Sequence, residues 1–359
     1  MDKHDGQEFL TLHEIAAVAR ARMPLGPWSY LIGGTETETT LRRNRHAIES
    51  LALRPRVCRD VSEIDTGTEL LGERLELPVM LAPVGSVETF TSGGGATAAK
   101  AAARAGVAQM LSCVCNPGLE EVAAAADNLK IYQLYVRGDQ AAIDAEVKRA
   151  VDHGYKAFAV TVDTAVYSRR ERDLENRFIK PWRRAASGHD YQASYTWDHV
   201  KYFKDTHDIP FILKGIGTAE DAAIACEHGV DGIYVSNHGG RQLDQGLGSM
   251  AVFPQVVEAV GGRAMLFVDG SFMRGTDIVK AMALGATAVG LGRLACMGLA
   301  ADGEEGLVRT FELLREEVRI AMGLCGVTSM SQLSPKYVTQ APAVVEPHAL
   351  SAFPLLDKN

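Results

Sequence analysis

The sequence predicts a (β/α)8 barrel, the TIM-barrel architecture, carrying an N-terminal helical extension. Three observations lead there. Eight short apolar runs with strand character recur along the chain. They are continuous rather than alternating, as parallel strands buried on both faces are. Alanine-rich, helix-like segments lie between them and end at Gly106, Gly154, Gly229 and Gly285, each shortly before the next run. Glycine after a helix takes the left-handed turn without steric cost. The length of 359 residues suits one barrel of roughly 250 residues plus additions. A doubly wound open sheet is the competing arrangement, but eight alternations of strand and helix favour closure.

The extension comprises residues 1–75. Thr11-Leu12-His13-Glu14 reads as a capping box opening a helix over Ile15 to Met23. Pro24 to Gly34 reads as a breaker-rich connection, 36–50 as a second helix, and Leu51 to Leu75 as irregular or short β-structure. The barrel is placed at 76–333. Its strands are expected at Leu77–Val84, Ala108–Cys113, Lys130–Val136, Ala157–Asp163, Pro210–Lys214, Gly232–Asn237, Ala264–Asp269 and Ala288–Arg293. Between the fourth and fifth, Asp163 to Pro210 form a long insert rich in Arg and polar residues. It is a candidate lid, with a plain surface loop as the alternative. The segment 334–359 is proline-rich and aperiodic, a tail that drapes over a subunit surface or lacks order.

Composition excludes several classes. Apolar residues make up 47% and charged residues 23%, the ordinary globular mix. The net charge is −8 and no Lys/Arg run stands out, which argues against nucleic acid; positive charge for an anionic ligand must be local. Cys113 and Cys115 are too close for zinc spacing and no Cys/His cluster joins them, so no metal is expected. The six cysteines read as reduced thiols of a cytoplasmic protein, and the first residues lack the apolar core of a signal peptide. Ala281 to Ala301 is apolar and about as long as a membrane span. Arg293 and several glycines instead divide it into helix, turn, strand and a following segment.

In such a barrel the active site lies at the C-terminal strand ends. Those ends present Ala82-Pro83-Val84-Gly85-Ser86, Ser112, Gln133 and Tyr135, Thr161 and Asp163, Lys214, Ser236 to Arg241, Asp269-Gly270-Ser271, and Gly290-Leu291-Gly292-Arg293. The glycine turns after the last two strands suit a phosphate, with N–H groups of Gly270, Ser271 and Gly292 and the fork of Arg293. Glycines serving only the tight turns are the alternative. His238 and Arg241, three residues apart, can face one cavity. An imidazole suits proton abstraction and a guanidinium suits a carboxylate. Asp163 can hold the imidazolium, and Arg170 can add a second carboxylate contact.

These residues resemble the FMN-dependent 2-hydroxy acid oxidases and dehydrogenases, which include glycolate oxidase, lactate oxidase and mandelate dehydrogenase. The sharpest match is Ser236-Asn237-His238-Gly239-Gly240-Arg241-Gln242-Leu243-Asp244. Gln133-Leu134-Tyr135, Thr161-Val162-Asp163, Leu213-Lys214-Gly215, Arg274-Gly275-Thr276-Asp277 and Gly290-Leu291-Gly292-Arg293 follow in family order, and the similarity runs from about Thr11 to about Leu333.

The resemblance implies oxidation of an (S)-2-hydroxy acid to its 2-oxo acid, with O2 or a soluble acceptor reoxidising FMN, in a homotetramer or octamer. His238 is then the base, Asp163 its partner, Arg241 and Arg170 the carboxylate clamp, and Tyr30 and Tyr135 hydroxyl donors. Lys214 faces flavin N1 and O2, where reduction builds negative charge. Val84, Gly85, Ser112, Gln133 and Thr161 contact the flavin ring. Asp269, Gly270, Ser271, Gly292 and Arg293 hold the ribityl chain and phosphate. A flavin-binding homologue without turnover and an FMN barrel acting on a non-acid are the alternatives.

Four departures from the family pattern stand out. Val114 replaces a tryptophan, which implies a wider pocket and a substrate bulkier than glycolate, with an aromatic or branched side chain. The segment after Phe178 is short, thinning the lid. Ser271 replaces a glycine. Met273 replaces an arginine used near the phosphate, leaving Arg293 and Arg274 to compensate.

Overall fold

Eight short parallel strands close on one another. The structure, a computed structural model, describes residues 8–185 and 192–356. The barrel strands are β1 (Val79–Leu81), β2 (Ala108–Ser112), β3 (Lys130–Leu134), β4 (Ala157–Thr161), β5 (Phe211–Ile216), β6 (Gly232–Val235), β7 (Met265–Val268) and β8 (Ala288–Leu291). Each pairs in parallel with the next, and β8 returns to β1. All eight expected runs are strands, shorter at their C-terminal ends than read except for β5. The residues trimmed there form the site loops.

Side chains such as Met80, Met110, Ile131, Ile212 and Phe267 form one core cluster, none more than 1% exposed. Leu70 and Leu75 join it from an antiparallel hairpin, Thr68–Leu70 with Glu73–Leu75, just ahead of β1. A second, larger cluster lies between the strands and the surrounding helices. The apolar stretch 281–301 resolves as expected, with β8 between Gly275–Ala283 and the helix that opens at Arg293. Among the described residues no helix is long and apolar enough to cross a membrane. All six cysteines are free.

Three expectations need correction. Pro24 to Gly34 is not a mere connection: Leu25–Ile32 is helical, with Pro24 as its N-cap and Gly33 as its C-cap. The prolines fall where a helix start leaves its N–H groups unpaired anyway. The second helix is Thr39–Glu49, shorter than read. The insert after β4 ends in the barrel's own helix, Trp197–Thr206, which buries Val200 and Phe203, so only its first part covers the mouth. Of the two courses expected for the tail, it takes the ordered one and lies on its own chain. Val338–Gln340 pairs with Leu51–Leu53, and the buried Phe353 meets the His13 ring at 5.7 Å.

The extension braces the barrel through polar contacts. Arg45 of the helix Thr39–Glu49 reaches Asp277 at 2.6 and 3.0 Å and donates to the Ser271 carbonyl at 2.9 Å. Both partners of this ion pair are buried. Asp277 also accepts the backbone N–H groups of Met273 and Arg274, which fixes the turn after β7. Asn44 and Asn237 exchange two amide hydrogen bonds of 2.8 Å, tying the same helix to the turn after β6.

Candidate active site

The C-terminal strand ends surround a cavity of about 450 Å³. Of the expected residues, Tyr30, Val84, Gly85, Tyr135, Arg170, Lys214, His238, Arg241, Asp269, Gly270, Ser271, Gly292 and Arg293 line it. Asp163 lies against His238 rather than on the wall. Ser112, Gln133 and Thr161 sit at the ends of β2, β3 and β4, at most 2% exposed and outside the open cavity.

His238 is held on two sides in a left-handed backbone conformation, φ 58°. Its Nδ1 lies 3.2 Å from Asp163 Oδ1, and its Nε2 lies 3.1 Å from the Tyr135 hydroxyl. A carboxylate beside Nδ1 favours the tautomer with hydrogen there, leaving the Nε2 lone pair to accept from Tyr135. Burial pushes the imidazole down to about 4, against the pull of Asp163. Burial also pushes the Asp163 carboxyl up, but His238 and Lys214 outweigh it and leave the group below its usual range. Tyr135 is raised well above its ordinary value by burial and then by Asp163, so it remains a hydroxyl donor. Burial likewise raises Tyr30, to about 12, and its hydroxyl donates to the Gly85 carbonyl at 2.9 Å.

Gly215 explains how Asp163 gets so near β5. Its φ is +110°, and a Cβ there would fall 2.7 Å from the Asp163 Cβ and backbone N. Only glycine accommodates both. The β5–β6 register shifts between Lys214 and Ile216 at this point. Lys214 Nζ donates to Ser236 Oγ at 3.1 Å and lies 3.7 Å from Asp269 Oδ2, while Ser236 donates to Asp269 at 2.7 Å.

The guanidinium groups are placed by backbone carbonyls. Arg241 donates to the carbonyls of Tyr30 and Gly33, each at 2.7 Å, and its second terminal nitrogen is buried without a partner among the described residues. Arg170 is buried and meets Gln242 Oε1 at 3.3 Å. Arg293 donates to the carbonyls of Leu31, Gly33 and Gly239. Burial and the neighbouring Arg241 both weigh against the Arg293 charge, a penalty that an anion in the cavity would offset.

Other buried polar atoms await partners. The amide of Gln133, Thr161 Oγ1, Ser271 Oγ and Asp163 Oδ2 have none among the described residues. Buried polar groups are almost always satisfied, so this set points to a polar ligand over β3 and β4 and beyond β7. A flavin ring with a ribityl phosphate fits that set.

Three of the noted departures find an account here. Trp182, from the insert, lies on the wall freed by Val114: the Cβ position of Gly85 is 2.7 Å from Val114 Cγ2 and 3.6 Å from the indole nitrogen. The wall is therefore shared rather than left open. Met273 is buried and lines the cavity, but Arg274 does not compensate for it, because its guanidinium pairs with Glu317 at 2.5 Å. Ser271 takes φ 65°, a conformation that favours glycine. Part of the insert falls on 186–191, outside the described residues, yet Lys180, Trp182 and Arg183 line the cavity.

The family model described as FMN-dependent dehydrogenase matches residues 19–191 and 183–340. Glycolate oxidase 1 of Zea mays is 36% identical, across 97% of this chain and 99% of that protein. An L-lactate oxidase of Nostoc sp. is 36% identical, across 92% of this chain and 98% of that protein. A mandelate oxidase solved with benzoyl-formic acid superposes with a TM-score of 0.87 at 38% identity, covering 94% of this chain and all of the other. The chain belongs to the FMN-dependent dehydrogenases, among the 2-hydroxy acid oxidases, and its cofactor is FMN.

Proposed function

We propose that this enzyme oxidises an (S)-2-hydroxy acid bulkier than glycolate to the 2-oxo acid, with His238 as the base and O2 as the final acceptor. One observation carries the reading. A histidine whose Nδ1 lies against a carboxylate shares a cavity with two guanidinium groups, Arg170 and Arg241. That combination matches an anion carrying a removable proton.

Arg241 and Arg170 bind the substrate carboxylate and orient the molecule. Arg241 has a terminal nitrogen without a partner among the described residues for the purpose. His238 Nε2 then accepts the substrate proton, and the hydroxyl of Tyr135 yields its hydrogen bond to that nitrogen as the substrate arrives. Asp163 accepts from Nδ1 and stabilises the imidazolium that results. An anionic substrate beside the imidazole raises its proton affinity above that of the empty site, bringing the base toward working pH.

Val84, Gly85, Ser112, Gln133 and Thr161 would hold the flavin ring. Asp269, Gly270, Ser271, Gly292 and Arg293 would hold the ribityl phosphate, with Lys214 at the electron-rich edge. Bound FMN supplies a two-electron acceptor.

The test is anaerobic mixing of FMN-loaded enzyme with a panel of 2-hydroxy acids, followed by air and a peroxide assay. The reading expects bleaching by (S)-acids and peroxide on reoxidation. A flavin that stays oxidised with every acid overturns it. The family resemblance also carries a homotetramer or octamer, which light scattering of the holoenzyme checks.

A further inference from the structure

Lys180 stands at the start of the helix Pro181–Ala185 and is 5% exposed. No carboxylate among the described residues pairs with its ammonium, and Asp173 acts on it only from beyond ion-pair distance. The Nζ instead lies over three aromatic rings, 4.9 Å from Tyr30, 5.2 Å from Tyr167 and 5.4 Å from Trp182. Such contacts soften the desolvation of a cation but do not replace a counter-charge. Two more cations keep it company. Arg183 lies 4.3 Å over Tyr167 and Arg137 lies 5.0 Å over Trp182, neither with an acid partner among the described residues. All three line the cavity that holds His238.

The remaining cations of this cavity are accounted for. Arg170 and Arg241 are assigned to one carboxylate, Arg293 to the cofactor phosphate, and Lys214 pairs with Asp269. Lys180, Arg183 and Arg137 are left over. The chain as a whole carries −8, so their excess is local to the mouth. We propose that these three side chains receive a second anionic group, a carboxylate or a phosphate, at the far end of the substrate's side chain. The inference rests on the 2-hydroxy acid reading and narrows it. It also redirects the expectation of an aromatic or branched side chain, which the position of Trp182 on the Val114 wall no longer supports. Burial and the nearby Arg170 and Arg241 hold the Lys180 ammonium well below its usual range. An arriving anion would relieve that penalty.

The test compares paired ligands on the FMN-loaded enzyme. Four- and five-carbon (S)-2-hydroxy dicarboxylates, and a 2-hydroxy acid ending in phosphate, are set against methyl-ended acids of the same length. Anaerobic flavin reduction is followed, and binding of the unreactive 2-oxo acids is titrated by flavin absorbance. At least one dianion is expected to exceed its monoanionic counterpart by about tenfold or more in both readouts. Carboxylate and phosphate arms show which group the site takes. Lys180→Met should collapse that ratio, and Lys180→Arg should keep most of it. A wild-type ratio near one overturns the inference, as does a ratio unchanged in a Lys180→Met protein of normal flavin content. If no hydroxy acid reduces the flavin while 2-oxo dianions still bind preferentially, the oxidation has failed and the second anion site stands.

Discussion

Around Phe267 and Met80 the barrel is filled by apolar side chains at most 3% exposed, while a few residues further along the same strands the chemistry reverses. There, Gln133, Thr161, Ser271 and Arg241 keep buried atoms without partners among the described residues, and His238 and Ser271 hold left-handed backbones without being glycine. Interior packing rewards close fit and penalises vacancies. The mouth instead accumulates groups that are costly until a ligand arrives. The two ends of one strand thus meet different demands, close packing below and an open, polar cavity above, and substitutions should separate them.

The sharpest separation comes from His238→Gln. The variant should still bind flavin and unfold normally, yet substrate should reduce it ~10²–10⁴-fold more slowly. Normal reduction in stopped-flow absorbance would remove the histidine from the proton transfer. At the other end, Phe267→Ala should lower unfolding free energy by about 3–5 kcal/mol in denaturant titration. Its rate of flavin reduction should be unchanged wherever it is folded. Arg45→Met crosses the divide. It strands the buried Asp277 carboxylate, so a loss of about 3 kcal/mol in stability should come with weaker flavin binding, because the Ser271 carbonyl loses its support. A variant that is destabilised but binds flavin normally would confine this brace to folding.

Thr161→Val should leave the flavin-free protein as stable as before or slightly more so, since it removes a buried hydroxyl that has no partner among the described residues. It should weaken flavin affinity by about 1 kcal/mol, measured by fluorescence titration. Acid gives the smallest effect near neutrality. The His238 imidazole is held below its unfolded value, so the unfolded chain binds more protons between about pH 6.5 and about pH 4. This group therefore contributes stability that is full above pH 6.5 and lost progressively toward 4, and flavin reduction should fall in the same direction. Measured at low substrate, where the rate reports the free enzyme, a reduction rate already declining above pH 7 would place the controlling group elsewhere.

The barrel was legible because parallel strands buried on both faces are written as unbroken apolar runs. The turn after β6 was legible as a candidate site because Ser236 to Asp244 combines glycines with a histidine and an arginine in one short stretch, and both side chains line the cavity. Other features were not. Leu25–Ile32 hides its helix behind prolines that usually mark breaks. Asn44 and Arg45 look like the wet face of a helix, and only its packing against the turns after β6 and β7 shows them to be buried. Lys180 belongs to an aperiodic segment, where nothing in the order of residues reveals which side chain turns inward. Gly215 falls in a stretch that matches the family, but its steric role shows only when β4 and β5 lie side by side.

The amide exchange between Asn44 and Asn237 has a practical consequence for anyone who trims the protein. A shortened version starting at residue 76 would keep every strand of the barrel, yet it would forfeit Tyr30, the clasp on the histidine turn and the arginine beneath the turn after β7. Such a fragment would be a scaffold missing parts of its own machinery, and grafting or circular permutation should carry the first fifty residues along as an organ of the site.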